Sequence, residues 1–342
     1  MSGDKKEKIL LVANYRPDTG GISVQVKLLY EHLRSEGYSV GIYSLSGSAL
    51  KRLVSYFLLI FRILQYDIIH VHACSYRGFM PAVAAVPLSR LFGKKVVLTF
   101  HGGDGERYFD KHPKPCRFVF RRTSANIVLS GFLGVVFDKK GYSYVIIPNI
   151  VDFDESLYKH RDSISPKYLS LRSLKPEYNI QCIIKAFQIV KQSCPDASLD
   201  ILGDGPDRRK LEEFVVANSV AGVNFHGNVP NTEVYEWLHN SDVFVSSPLV
   251  DNQPMSVMEA FCCGTLVISS NVGGIPYMIE EGVNGYLFES DNVQQLADKM
   301  ILSVKDQDAT KRIIAKARES LSVHSWEYIK PLLLKTYGIE NS

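Results

Sequence analysis

The sequence predicts an α/β protein made of two doubly wound domains. The chain has 342 residues, which exceeds a usual single domain and favours about two. Short strand-like apolar runs alternate with helical segments along the chain, and this alternation is typical of crossover units in a parallel sheet. A polar stretch with weak periodicity at residues 152–167 separates two such alternations.

Each alternation predicts six strands. In residues 1–150 the apolar runs place them at 9–13, 38–45, 67–72, 95–100, 125–130 and 143–148. In residues 167–324 they fall at 168–173, 197–203, 222–226, 242–247, 266–270 and 285–288. Residues 151–166 form the predicted linker. Helical spacing from Trp326 to Tyr337 predicts a C-terminal helix, within residues 325–342, that packs back on the first domain.

Composition is that of an ordinary soluble globular protein. Apolar residues make up 46% of the chain and charged residues 22%, while a net charge of +3 is too small to indicate nucleic-acid binding. The six cysteines have neither zinc-site spacing nor a disulfide framework, which predicts reduced thiols in a cytosol. The first apolar run, residues 9–13, is too short for a signal peptide. We therefore expect a cytoplasmic protein.

A helix is predicted to begin near Pro254. Proline is favoured in the first turn, and Asn252 or Gln253 could cap the helix end. The first backbone amides would then point out of the helix and attract a phosphate. These amides belong to Met255, Ser256 and Val257.

Two carboxylates flank this helix start. Glu259 lies one turn inside the helix, where a carboxylate can accept both hydroxyls of a ribose. Asp251 precedes the helix and could hold hydroxyls of a sugar. Acids near a helix start can also simply stabilise its dipole. The flanking strands favour a ligand site, because ligands bind at the carboxyl ends of parallel strands.

Glycines follow the first strand in the loop of residues 17–21. Gly20 and Gly21 would let the backbone approach a ligand closely, although such a pair is also a common tight connection. No third glycine falls at the spacing of the dinucleotide fingerprint, which argues against a dehydrogenase.

Histidines occur on two neighbouring strands of the first domain. His101 and Gly102 follow the fourth strand, so we expect an imidazole beside flexible backbone at the ligand-binding edge, or else a structural histidine. His70 and His72 alternate on the third strand and are expected to be buried and hydrogen-bonded.

In the second domain, Arg172 ends the first strand. Its planar guanidinium can clamp a diphosphate, although it could also form a surface ion pair. Gly203 opens a turn that runs to Pro206, and we interpret this turn as structural, with Asp204 as a cap.

With these residues in place, the chain resembles the family 4 glycosyltransferases over nearly its whole length. These are retaining enzymes with the GT-B fold, in which two doubly wound domains face each other across a cleft. The order and spacing of several motifs carry the resemblance. They are Gly20-Gly21, His101-Gly102-Gly103, Pro148-Asn149 with Asp152, Arg172, Gly203 to Pro206, Asp251 with Glu259, Gly264-Thr265, and Gly273-Gly274 with Pro276.

The resemblance implies transfer of a sugar from a nucleotide-sugar donor, more often UDP- than GDP-linked, in polysaccharide or glycoconjugate biosynthesis. It implies retention of the anomeric configuration, with neither a metal nor another cofactor. Arg172 would neutralise the leaving diphosphate, Glu259 would hold the ribose, and Asp251 with the amides after Pro254 would hold the sugar. His101 would lie by the sugar. The further donor-binding positions are Gly20, Gly21, Gly102, Gly203 and backbone near Val229.

The sequence departs from the family pattern twice. The first carboxylate is usually Glu, and Asp251 is one methylene shorter. A lysine usually supplies a second diphosphate cation after the arginine, but the corresponding segment here contains Tyr178. Either Lys175 or Tyr178 could replace it. A catalytically weakened nucleotide-sugar-binding subunit, acting with a partner enzyme, is therefore the alternative. An epimerase or phosphorylase is disfavoured because no catalytic carboxylates or pyridoxal-phosphate lysine of that kind are found.

Two segments of the first domain indicate a membrane surface. Leu53 to Phe61 is apolar, is flanked by Lys51, Arg52 and Arg62, and is far shorter than the ~20 residues that span a bilayer. Residues 111–122 carry five cations and no acid, together with Phe118, Val119 and Phe120. Alternatively, the apolar stretch is a core helix with solvated charges. We expect peripheral attachment to the inner leaflet and a glycan or lipid-linked acceptor.

Overall fold

The computed structural model describes residues 6–17, 20–152 and 154–339, and it divides into two compact units. Unit 1 comprises Met1–Asp152 and Val323–Ser342, and unit 2 comprises Phe153–Ser322. Asp18 and Thr19 of the predicted glycine loop lie outside the described residues, as do residues 340–342 at the end of the predicted C-terminal helix.

Twelve strands occur in the described part of the chain, and each overlaps a predicted one. They are β1 (Lys8–Ala13), β2 (Ser39–Ser44), β3 (Ile68–Ala73), β4 (Lys95–Phe100), β5 (Ala125–Val128), β6 (Val145–Ile146), β7 (Lys167–Leu171), β8 (Ser198–Leu202), β9 (Val223–Gly227), β10 (Val243–Ser246), β11 (Leu266–Ser270) and β12 (Tyr286–Phe288). The prediction of two doubly wound α/β domains is confirmed.

Helices connect these strands. They are α1 (Gly21–Ser35), α2 (Ala49–Leu64), α3 (Met80–Leu91), α4 (Gly105–Lys111), α5 (Pro113–Phe120), α6 (Gly131–Lys140), α7 (Ile180–Ser193), α8 (Arg208–Ala217), α9 (Asn231–Asn240), α10 (Met255–Cys262), α11 (Val293–Lys305), α12 (Gln307–Glu319) and α13 (Trp326–Tyr337). Among the described residues, none of them is long and apolar enough to cross a bilayer.

The sheet of unit 1 is parallel and has the order β2-β1-β3-β4-β5-β6. Alternate side chains of β1 pack into hydrophobic cores on opposite faces of the sheet, because successive side chains of a strand point to opposite faces. Leu10 and Val12 pack with helices α2, α3, α5 and α6. Ile9 and Leu11 pack with α1 and α13 on the other face. Both faces are covered, as is usual for a parallel sheet.

The sheet of unit 2 is also parallel and has the order β12-β11-β10-β7-β8-β9. Its core includes Tyr168 of β7 and Phe187 of α7, whose rings pack edge to face, together with Met300 of α11. The strand order reverses between β7 and β10 here, and between β1 and β3 in unit 1. Ligands of doubly wound sheets bind outside the carboxyl ends of the strands at such reversals.

The apolar residues of the two segments predicted to meet a membrane lie in different environments. Helix α2 buries Leu59 and Ile63 but leaves a whole apolar face exposed, so the core-helix interpretation is wrong for that face. In residues 111–122, Val119 and Phe120 are buried and Phe118 is exposed. The apolar content of that segment therefore belongs mainly to the core.

Candidate active site

Arg172 and Asp251 meet at the reversal point of the unit 2 sheet. Arg172 directly follows β7, and Asp251 lies in the loop between β10 and α10. Arg172 Nη2 forms an ion pair with Asp251 Oδ2, and the side chains are only 16% and 18% exposed. The guanidinium also lies 5.0 Å from the ring centroid of Tyr178, within the range of a cation–π contact. Arg172 thus forms an ion pair, and its partner is the carboxylate that was predicted to share its site.

The backbone that carries Arg172 is held by a glycine turn. Gly203 has φ +123°, and a Cβ there would lie 2.0 Å from the carbonyl oxygen of Arg172. A Cβ on Gly205 would lie 2.3 Å from the carbonyl oxygen of Leu174. Only glycine permits this close approach. The turn is structural, as expected, but Asp204 does not cap α8, since the N-cap is Asp207.

A second glycine turn holds Asp251 in the same way. Gly273 has φ +55°, and a Cβ there would lie 2.0 Å from the carbonyl oxygen of Asp251. The amide of Gly274 donates to that same oxygen at 3.1 Å. The sequence placed Gly273 and Gly274 among the motifs of the family. It did not reveal that Gly273 and Gly274 support the loop of Asp251.

Helix α10 begins one residue later than predicted. Pro254 is the N-cap with extended backbone, so neither Asn252 nor Gln253 occupies the capping position. The amide of Val257 donates to the carbonyl of Pro254 at 3.2 Å. The expectation of a free Val257 amide is therefore wrong. The Ser256 hydroxyl is buried and has no hydrogen-bond partner among the described residues.

Glu259 is a half-buried carboxyl group on α10. Burial raises the pKa of Glu259 to about 7, although the nearby Arg172 guanidinium acts to lower it. No hydrogen bond to its carboxylate occurs within the described residues. An ionisable group with a strongly shifted pKa beside a cation is typical of a functional site. The shift also means that a ligand able to hydrogen-bond the ionised form would gain affinity as pH rises.

The other predicted residues of unit 2 lie on neighbouring loops. Ser247, directly after β10, donates from its Oγ to the carbonyls of Tyr178 at 3.2 Å and Asn179 at 2.7 Å, which fixes the turn that follows Arg172 in the chain. Lys175 is exposed at the start of that turn. The Gly203 amide donates to the Gly227 carbonyl at 2.7 Å, which ties the turn after β8 to the end of β9. Val229, two residues further on, is half-buried.

Of the three predicted glycines in unit 1, Gly20 and Gly102 are constrained. Gly20 is the N-cap of α1 with φ +74°, and the helix begins at Gly21. A Cβ on Gly102 would lie 2.7 Å from Ser75 Oγ. Gly20 follows β1 and Gly102 follows β4, so they flank the carboxyl end of β3.

His101 takes part in a contact between imidazoles that the sequence did not indicate. His101 Nε2 lies 3.0 Å from His72 Nδ1, while His70 contacts Tyr337 at 2.7 Å and Thr99 at 2.8 Å. The prediction that His70 and His72 are buried and hydrogen-bonded is confirmed. Burial lowers the pKa of His101 to about 4 and that of His70 to about 3. His101 is therefore a neutral hydrogen-bonding group near pH 7.

Sequence models of two known families match most of the chain. The model for glycosyl transferases group 1 matches residues 158–320, and the model for Glycosyltransferase Family 4 matches residues 19–155. An uncharacterized glycosyltransferase of Methanocaldococcus jannaschii is 24% identical over 94% of this chain and 95% of its own. The N-acetyl-alpha-D-glucosaminyl L-malate synthase of Bacillus anthracis is 26% identical over 75% of this chain and 70% of its own.

The fold has solved counterparts. The structure of HepE from Anabaena in complex with UDP and glucose superposes with a TM-score of 0.79 at 18% identity, covering 97% of this chain and 99% of that one. This similarity shows the GT-B fold. The matched models together reach from residue 19 to residue 320, across both units. The chain therefore belongs to the family 4 glycosyltransferases.

Proposed function

We propose that the protein is a retaining, metal-independent glycosyltransferase that moves a sugar from a UDP-linked donor to a glycan or lipid-linked acceptor, at the cytoplasmic face of a membrane. The pathway would be polysaccharide or glycoconjugate biosynthesis. The observation that carries the proposal is the Arg172–Asp251 ion pair at the strand reversal of unit 2, next to Glu259. UDP is favoured over GDP by family frequency and by the UDP bound to the structurally similar HepE.

The donor would rearrange the ion pair. A diphosphate carries more charge than one carboxylate and matches the planar fork of Arg172, so it would displace Asp251 from the guanidinium. Asp251 would then be available to accept sugar hydroxyls. The Glu259 carboxylate would accept the ribose hydroxyls.

Bond cleavage places positive charge on the anomeric carbon and negative charge on the departing phosphate. Arg172 and the Ser256 amide at the start of α10 would stabilise the departing phosphate, and removal of one such donor costs ~3 to 4 kcal/mol in the transition state. Retention would follow if the acceptor attacks the face that the leaving group vacates, while a phosphate oxygen takes the acceptor proton. Neutral His101 would contribute a hydrogen bond to the sugar rather than a charge.

Tyr178 is the better candidate for the position of the missing lysine. Its ring packs against the Arg172 guanidinium, whereas Lys175 is exposed. A tyrosine hydroxyl can donate to a phosphate but supplies no charge. The same observation supports the alternative proposal, a nucleotide-sugar-binding subunit with weakened catalysis.

Donor hydrolysis in the absence of acceptor separates these two proposals. Purified protein incubated with UDP-sugars should release UDP slowly, and Arg172→Ala and Glu259→Ala should each abolish the release. Arg209→Ala removes an arginine that is 90% exposed on α8 and serves as the matched control, with an unchanged rate. UDP-sugar binding without any hydrolysis would favour the binding subunit. Equal rates in all four proteins would count against the proposed site.

A further inference from the structure

Helix α2 presents an apolar face to solvent. Leu59 and Ile63 anchor the helix in the core of unit 1. Seven large apolar side chains on the same helix are exposed, with Leu53 at 68% and Phe57 at 65%. They are Leu50, Leu53, Val54, Phe57, Leu58, Phe61 and Leu64. A surface helix of a globular protein normally turns such residues inward, so α2 shows the reverse arrangement.

The exposed side chains form one continuous stripe. With 3.6 residues per turn they fall within an arc of ~140° on the helix circumference. The rings of Phe57 and Phe61 pack edge to face with centroids 5.8 Å apart. A contiguous exposed apolar surface of this kind marks an interaction site.

Cations border the stripe, and α2 itself carries no acid. Lys51 and Arg62 lie beside the stripe on one edge, since they are ~120° and ~140° around the helix from Phe57. Lys94 reaches the carboxyl end of the helix, where its ammonium donates to the carbonyl of Leu64 at 3.3 Å. Long cationic side chains beside an apolar face can keep their charges in the headgroup layer while the face enters the acyl region.

A second basic segment lies on the same side of the sheet. Helix α3 packs against both α2 and α5, so the axes of α2 and α5 are at most ~20 Å apart at usual interhelical spacing. The five cations of residues 111–122 are all exposed. Phe118, 41% exposed, stacks under the Arg122 guanidinium at 4.0 Å. Leu91, at the end of α3, is 75% exposed.

We propose that α2 lies in the surface of an anionic lipid bilayer, with the stripe from Leu50 to Leu64 inserted and the cations of residues 111–122 on the lipid phosphates. The inference rests on the proposed function, because it would bring unit 1 to a lipid-linked acceptor. A second copy of the chain fits this face less well. Two α2 helices packed stripe to stripe would bring their bordering cations together without any acid on either helix, which is unfavourable.

Vesicle flotation tests the proposal. The wild-type chain should float with vesicles of phosphatidylglycerol and phosphatidylcholine, and it should bind pure phosphatidylcholine much more weakly. Leu53→Gln combined with Phe57→Gln should weaken binding about tenfold or more, because two exposed apolar side chains no longer enter the lipid. Val216→Gln is the matched control, since Val216 on α8 of unit 2 is 78% exposed, and its binding should be unchanged. Lys114→Glu should weaken binding in low salt and have little effect in high salt.

The depth at which residue 57 enters the bilayer is measured with the Phe57→Trp variant. Its fluorescence, compared with that of the parent, should be quenched by lipids brominated on the acyl chain. Flotation of the double glutamine variant at the wild-type level would overturn the proposal, as would a Phe57→Trp signal insensitive to brominated lipid. So would a lipid-free dimer that the double variant converts to monomer. In the absence of vesicles, the double variant should release UDP at the wild-type rate. This measurement separates failure of the membrane inference from failure of the proposed function.

Discussion

Replacing Glu259 with glutamine should remove the part of the pH dependence of unit 2 stability that comes from this carboxyl group. Burial raises the pKa of Glu259 from its ordinary value of 4.5 to about 7. The folded chain therefore binds this proton more tightly than the unfolded chain does. Stability from this group is complete below pH 4.5 and is lost as pH rises towards 7, because the unfolded chain ionises first.

The magnitude follows from the size of the shift. A rise of about 2.5 pKa units corresponds to about 3 kcal/mol at 1.36 kcal/mol per unit. Glu259→Gln removes the ionisation and keeps the shape. Its unfolding free energy should therefore exceed that of wild type by about 3 kcal/mol at pH 8.5, and the two should nearly coincide at pH 4.

Urea unfolding followed by tryptophan fluorescence measures this difference. The chain has two tryptophans, and Trp326→Phe leaves Trp237 on α9 as the reporter of unit 2. Glu236→Gln, an exposed residue on the same helix as the reporter, is the matched control and should follow wild type at every pH. A Glu259→Gln variant that shows the same difference from wild type at pH 4 and pH 8.5 would refute the reasoning.

Further predictions concern the donor site. UDP should bind wild type more tightly at pH 8 than at pH 6 in calorimetry, because Glu259 ionises in that range, and the dependence should flatten in Glu259→Gln. Gly273→Ala should weaken UDP-sugar binding, since its Cβ would lie 2.0 Å from the Asp251 carbonyl oxygen, whereas Gly282→Ala has a similar φ and open space and should bind normally. Tyr178→Lys should tighten UDP binding about tenfold by adding a phosphate cation, and looser binding would argue against this position. UDP release should persist in excess chelator, and its loss would contradict a metal-independent reaction.

The sequence predicted the fold well because both sheets are parallel and buried. The apolar runs from Ile9 to Ala13 and from Leu266 to Ile268 lie between helical segments, and this local pattern is visible without any tertiary information. Residues that follow such strands, for example Arg172 after β7, could therefore be placed at the ligand-binding edge in advance.

The contacts within the site could not be predicted. Arg172 and Asp251 are 79 residues apart, and no periodicity indicates that they pair. The same limit applies to the contact of His72 with His101 and to the support of Asp251 by Gly273, both of which depend on strand order. For α2, the helical period shows which residues share a face, but it does not show whether that face points towards the core or towards solvent.

Calorimetric titration of the purified chain with UDP is the most direct test of the central claim that unit 2 binds a nucleotide-sugar through its diphosphate and ribose. We predict measurable heat with UDP at concentrations up to millimolar, strongly reduced in Arg172→Ala and in Glu259→Ala and retained in Arg209→Ala. Absence of heat with UDP, GDP and ADP alike, or equal heat in all four proteins, would contradict the claim.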